Sequence, residues 1–182
     1  MRHLFLIFFF VSISQSINSQ ESYFSGKGIV NFRSEAQQEI INASSSKLIR
    51  ILNPSKKTFY FRVSVRTFSG FNSTLQQEHF NEKYIESEEF PEATFFGKII
   101  EDIDLTIDGV YELRAKGILK IHGVEMERII KGTVEVKNEI IKIESHFSIL
   151  LSDHKIKIPR VVHEKIANEI IVDLNIELQK NN

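Results

Sequence analysis

"VYELRAKGILKIHGVEMERIIKGTVEVKNEIIKIESHFSIL", from Val110 to Leu150, alternates apolar and polar residues and is interrupted only at His122–Gly123 and Asn138–Glu139. Period-two alternation marks antiparallel strands with one face in a core. The parity of the apolar positions then tests which turns are allowed, because a hairpin must bring like faces together. Tyr111, Leu113, Leu119 and Ile121 are odd; Val124, Met126, Ile130, Val134 and Val136 are even; Ile141, Ile143, Phe147, Ile149 and Leu151 are odd again. A two-residue turn at His122–Gly123 pairs Ile121 with Val124, and one at Asn138–Glu139 pairs Val136 with Ile141. Both satisfy the parity. Upstream, Ala93–Leu105 carries Phe95, Ile99, Ile103 and Leu105, and a three-residue loop at Ile107–Gly109 pairs Leu105 with Tyr111. The result is a four-stranded meander.

Working outward, further strands are expected at Gly28–Arg33, Glu39–Ala43, Lys47–Leu52, Thr58–Arg66 and Glu169–Leu178. Helix is sparse. Ser73–Glu86 opens with Ser73 and Gln76 at capping-box spacing. Leu75, Phe80 and Ile85 form its apolar side, and Gln77, Glu78, Glu82 and Lys83 face water. Pro91 returns the chain to an extended path, so this helix is read as a lid or plug, or as a connector that fills the core. A second short helix, Arg160–Ala167, follows Pro159.

The start of the chain reads differently. Arg2 precedes an apolar run from Leu4 to Val11, followed by the polar "SQSINSQ". That layout is a secretory signal peptide over residues 1–20, too short to span a bilayer. Residues 21–182 then make one ordinary domain. The chain has no cysteine, which excludes a disulfide framework, a thiolate metal site and a lipid-modified cysteine anchor. Its formal net charge of −1 carries no basic surplus for nucleic acid. No second apolar run suggests a transmembrane segment. An exported protein, periplasmic or extracellular, is expected.

Following the register across the meander gives inward rows. One holds Ile103, Leu113, Gly132 and Ser145. The next holds Glu101, Ala115, Ile130 and Phe147, the third Ile99, Gly117, Arg128 and Ile149, and the fourth Gly97, Leu119, Met126 and Leu151. Strand cores favour bulk, yet Gly97, Ala115, Gly117, Gly132 and Ser145 all face inward. Either they kink a closing barrel or they leave room for a guest. Candidate lining residues of such a cavity are Phe32, Phe59, Phe61, Val63, Phe95, Ile99, Leu113, Gly117, Arg128, Ile130, Gly132, Ser145 and Phe147. Arg128 breaks the apolar face, and the register sets Glu101 diagonally across from it. The two are expected to meet inside the barrel, where an unpaired charge costs several kcal/mol.

No catalytic constellation is visible. His79, His122, His146, His154 and His163 lack metal-ligand spacing and are read as surface residues. "DIDLTID", Asp102–Asp108, lacks the spacing and terminal Glu of a calcium loop. There is no nucleophile elbow and no glycine-rich phosphate loop. No cofactor or metal is expected, and the chain is read as a binding protein rather than an enzyme.

Four segments in order resemble a known family. "GKGIVNFRSEA" is similar to its opening strand. "FSGFNSTLQQEHFNEKYIESEEFPEATFFGKI" is similar to its central helix-then-strand signature. "AKGILKIHGVEMERIIKGTVEV" is similar to its Gly-aliphatic-His-Gly hairpin, and "IKIPRVVHEKIANEIIVDLNIEL" to its closing helix and strand. On these segments the chain resembles the YceI-like family of exported bacterial polyisoprenoid-binding proteins. One departure is that Glu125 and Met126 stand where the family usually has Thr and a basic residue. The resemblance implies an all-β fold, an antiparallel eight-stranded lipocalin-like β-barrel with short helices capping its ends. It also implies an isoprenoid lipid, such as a quinone or polyprenyl lipid, held in an apolar cavity, and a homodimer. Two alternatives remain open: an enzyme acting on a barrel-bound lipid, and a solid-core interaction module using outward apolar residues such as Phe96, Ile118, Ile129, Ile140 and Ile171.

Overall fold

The computed structural model describes residues 23–180, so the expected signal peptide lies outside the described residues. Nine strands follow one another: β1 (Tyr23–Glu35), β2 (Ile40–Ser45), β3 (Ile49–Asn53), β4 (Thr58–Ser64), β5 (Glu92–Ile99), β6 (Gly109–Ile121), β7 (Val124–Lys137), β8 (Ile140–Leu150) and β9 (Glu169–Lys180). They form one antiparallel sheet in the order β2-β1-β3-β4-β5-β6-β7-β8-β9, and β1 also pairs with β9. That last pairing curls the sheet round on itself. It runs from Tyr23 opposite Lys180 to Ser34 opposite Ile170, with a register shift between Tyr23 and Ser25.

The sheet has nine strands where eight are expected, because β2 and β3 share one place. Both pair with the same edge of β1, Val30 lying opposite Ser45 and Tyr23 opposite Leu52. They are two halves of one stave, interrupted between Ser45 and Ile49. The chain beyond β4 completes the other side of β2, with Ser44 and Ser69 exchanging main-chain hydrogen bonds of 2.8 and 2.9 Å.

Both two-residue turns form as the parity requires. Ile121 lies opposite Val124, and Val136 opposite Ile141. His122 and Gly123 have φ of 50° and 72°, and Asn138 and Glu139 have 51° and 63°. Consecutive positive φ values give the turn whose twist matches the strands.

The third turn does not form. β5 ends at Ile99, not Leu105, and Ile99 faces Ala115 while Gly97 faces Gly117. The expected register is therefore slipped by two residues between β5 and β6. A two-residue slip keeps every side chain on its own face, so parity could not exclude it. Two contacts account for the shift. First, the Glu101 carboxylate accepts from the main-chain N–H of Arg114 and from its Nε, each at 2.7 Å. The side chain thus takes the place of the next ladder carbonyl and ends the strand. Second, Gly97 and Gly117 are directly opposed, and a Cβ on Gly97 would lie 2.1 Å from the Lys116 carbonyl oxygen. Only two facing glycines allow this approach. The freed loop folds over one barrel end. Asp104 Oδ1 accepts from the Thr106 N–H at 2.9 Å and its hydroxyl at 2.6 Å, and Leu105 is buried in the core.

At the other end, α1 (Thr74–His79) begins where Ser73 Oγ accepts from the Gln76 N–H at 3.2 Å. It passes into a π-helical turn, Phe80–Tyr84, in which the Ile85 N–H reaches the Phe80 carbonyl at 2.9 Å. The wider turn brings Phe80 and Ile85, five residues apart, onto one face, whereas Leu75, on the α-helical turn before it, lies on another. Leu75, expected inside, is 59% exposed. Gln77, expected in water, is half-buried and donates to the Phe68 carbonyl at 3.0 Å. Phe80 and Ile85 face inward as expected, and Tyr84 joins them. The second expected helix is reduced to a 3₁₀ turn, Arg160–Val162, and a following turn.

Gly97→Val should destabilise the fold by about 1–3 kcal/mol or more, since the overpacking falls on main chain. Urea denaturation followed by circular dichroism measures it, and an unchanged midpoint would mean that the β5–β6 approach is not obligatory.

Candidate functional site

The inward faces enclose a cavity of about 280 Å³. Its walls come from most of the barrel, because alternation gives each stave one inward residue in two. Two aromatic groups dominate it. Under α1, Phe32 packs against Phe68, Phe71 and Phe80 with ring centroids 5.2, 5.9 and 5.4 Å away. Further along, Phe59 meets Phe61 at 5.5 Å and Phe95 at 4.8 Å. These rings present a large apolar surface with little rotamer freedom to lose. Among the described lining residues, Arg62 and Lys131 are the charged ones, and there is no Asp, Glu or His.

The expected lining residues Phe32, Phe59, Phe61, Val63, Phe95, Ile99, Leu113, Ile130, Gly132, Ser145 and Phe147 are all on this wall. Gly117 and Arg128 are not. Gly117 serves the close approach to β5: a Cβ there would lie 2.3 Å from the Phe96 carbonyl oxygen. The inward small residues therefore divide. Gly97 and Gly117 let strands approach, whereas Ala115, Gly132 and Ser145 line the cavity. Sequence reasoning missed Val172 and Leu174 on β9, which the even parity of that strand would have found. It also missed Phe68, Phe71 and Tyr84, which no strand periodicity marks.

The expected Arg128–Glu101 pair does not exist. Glu101 pairs with Arg114, whose main-chain N–H and guanidinium hold its carboxyl below the usual range. Arg128 instead donates through Nη2 to the Ser148 carbonyl at 2.9 Å, reaching across from β7 to β8. The register slip moved Glu101 off the sheet, so the partner assumed for Arg128 was never opposite it.

Two histidines are also placed differently from expectation. His154, at the end of a 3₁₀ turn (Leu151–His154), is fully buried, and neither ring nitrogen has a hydrogen-bond partner. Burial pushes its pKa below the ordinary value. The main chain of Val124 and Ile121 and the charge of Asp153 pull the other way without making a good hydrogen bond, while Arg128 adds to the lowering. His122 is nearly buried, its Nε2 2.7 Å from Glu86 Oε2 and its Nδ1 3.0 Å from the His154 carbonyl. Its ring meets Phe90 edge-on at 4.4 Å. Together these tie the β6–β7 turn to the segment after the π-helical turn. Among the described residues, no group of three or more His, Asp or Glu is placed to hold a metal ion.

The class of protein is thus a small antiparallel barrel with helical turns at one end and an apolar chamber inside. The YceI-like domain matches residues 18–178, and the chain belongs to that family. Solved structures agree on the fold. A polyisoprenoid-binding domain from Saccharophagus degradans, described as implicated in plant cell wall breakdown, is 11% identical with a TM-score of 0.73, over 88% of this chain and 98% of that one. BcnA of Burkholderia cenocepacia is 14% identical with a TM-score of 0.69, over 83% and 95%. The Campylobacter jejuni YceI protein is 14% identical with a TM-score of 0.56, over 100% and 99%. No curated protein matches the chain.

His154 makes stability pH-dependent. Its lowered pKa means that below about pH 6.5 the unfolded chain takes a proton that the folded chain refuses. Where the unfolded state binds more protons, stability falls as pH falls. The contribution is therefore absent above that pH and grows as a penalty beneath it. Urea midpoints of the parent and of His154→Leu, measured on both sides of this value, should differ in slope, the variant losing less stability in acid. Parallel slopes would assign the acid sensitivity elsewhere.

Proposed function

We propose that this protein binds an isoprenoid-chain lipid, such as a quinone or polyprenyl lipid, inside the barrel without transforming it. The observation that carries the proposal is the cavity itself. Its wall is aliphatic and aromatic, and none of its described residues is a carboxylate or histidine that would serve as general acid or base. A long hydrocarbon chain gains from such a wall by leaving water, at roughly 25 cal/mol per Å² buried. The solid-core alternative does not fit a chamber of about 280 Å³. The polyisoprenoid-binding neighbour supports the choice of an isoprenoid over other lipids. The proposal includes export, directed by the signal peptide read at residues 1–20. No helix among the described residues is long and apolar enough to cross a membrane. It also includes a homodimer, for which the outward row of Ile51, Tyr60, Phe96 and Ile118, each cross-strand from the next, offers an apolar face. Sedimentation velocity tests that part.

Mass spectrometry of an organic extract of the purified protein should show a polyprenyl-containing lipid in stoichiometric amount. Ala115→Phe should fold, at a cost of about 1–3 kcal/mol for overpacking, and come out with the lipid depleted. A folded parent protein that carries no lipid and takes up no added isoprenoid would refute the reading.

A further inference from the structure

At the barrel end that carries α1, the chain between β8 and β9 borders the cavity as "KIKIPRVVHEK", Lys155 to Lys165. Its isoleucines turn in. Ile156 is buried against Val65 and Ile85, and Ile158 packs against the same cluster. Both line the cavity, as does Ile166 just beyond. The lysines beside them, Lys155 and Lys157, are exposed. Pro159 then opens a 3₁₀ turn, in which the Val162 N–H donates to the Pro159 carbonyl at 3.0 Å. The Lys165 N–H donates to the Val162 carbonyl at 2.9 Å. This bonded turn presents Val161 to solvent, 90% exposed, the most exposed large apolar side chain among the described residues.

The neighbouring segments present apolar side chains too. The Gln38 N–H donates to the Glu164 carbonyl at 2.8 Å. Glu39 Oε1 accepts from Asn72 Nδ2 at 3.1 Å and from Gln76 Nε2 at 3.0 Å. The β1–β2 turn thus joins the loop to α1. Ile40 and Leu75, on these joined segments, are 53% and 59% exposed. A single exposed apolar residue is ordinary. Three on joined segments at one end of an apolar cavity make that end unlike a solvated one.

Charge gives the end its second property. The loop carries Lys155, Lys157, Arg160 and Lys165 against one carboxylate, Glu164, in a chain whose formal net charge is −1. All four cations are exposed, and among the described residues none of them forms an ion pair. Elsewhere on the barrel Arg62, Arg66, Arg114, Lys116 and Lys120 each meet a glutamate. Glu164 is engaged by the Gln38 amide. The exposed Glu78 and Glu82 keep the outer side of the helical segment acidic, so the positive field is centred on the loop. Unpaired cations around an aliphatic tip suit the interface of an anionic bilayer, where the tip leaves water and the cations meet phosphates. A second copy of this chain seated on the loop would set like charges against each other. A nucleic acid would satisfy the cations and leave the apolar tips in water.

We propose that the Lys155–Lys165 loop docks this protein end-on to an anionic phospholipid bilayer, with Val161 entering the headgroup region and the α1 end of the cavity turned toward the membrane. The docking does not depend on which lipid the cavity holds.

The chain contains no tryptophan, so Val161→Trp in the full protein reports on the loop alone. With vesicles of phosphatidylglycerol and phosphatidylcholine in equal parts, its emission should shift to the blue, and high salt should reverse the shift. Val110→Trp, at the opposite end of the barrel and also exposed, should not respond. Adding Lys157→Gln and Arg160→Gln to Val161→Trp should weaken vesicle binding by about tenfold or more without moving the urea midpoint, because neither side chain has a partner to lose. An unmoved emission, an equal shift with phosphatidylcholine alone, or an equal response at Val110 would overturn the proposal. So would unchanged binding by the charge variant. A shift that grows with protein concentration in the absence of vesicles would assign the loop to a second copy, and an equal shift with polyphosphate would assign it to a polyanion; either overturns bilayer docking. Uptake of geranylgeraniol from detergent solution should be the same in parent and variants, so the lipid-binding reading stands or falls separately.

Discussion

The pairing of β1 with β9 is the contact on which the rest depends. A nine-stranded sheet with two free edges is a template for aggregation, and its apolar face would have nothing to cover it. Joining the first and last strands removes the long edges and turns that face inward. The pairing is also the most non-local in the chain, which predicts slow folding. β1 is long enough to serve both sides. It meets β9 on one edge and the broken β2–β3 stave on the other.

Closure creates a second problem, because an eight-stave barrel is wide enough to need filling. Here the filling is uneven. Aromatic rings crowd one region, Leu105 plugs the end under the loop after β5, and the middle stays open. The barrel also does not close perfectly. β7 and β8 pair near their turn and then separate, with Arg128 and Ser145 bridging the seam. Arg128 is thus a cross-strand tie rather than half of an internal ion pair. A charged side chain on an inward position is satisfied by a carbonyl of the neighbouring strand, which meets the requirement that buried charge be hydrogen-bonded.

The interior is consistent in its chemistry. The described wall carries no Asp, Glu or His, and the buried histidine, His154, is not part of it but lies where the β6–β7 turn meets the 3₁₀ turn. Burial disfavours its charged form.

The β6–β7–β8 meander, its two-residue turns and its share of the cavity wall were legible in the residues from Val110 to Leu150, because alternation reports a face and turn chemistry reports a register when the turn is short. The family pattern needed four segments in order, spread over nearly the whole chain. What the sequence could not decide was register across a longer connection. Between β5 and β6, Gly97 could face Gly117 or Leu119 with every apolar side chain still inside. The choice fell to the facing glycines and to the Glu101 carboxylate seated on Arg114, both of which exist only once the strands are side by side. The same is true of Gln77, which turns in to the Phe68 carbonyl, and of His154, whose burial depends on segments distant in the chain. Periodicity determines which way a residue points; only packing determines what it meets.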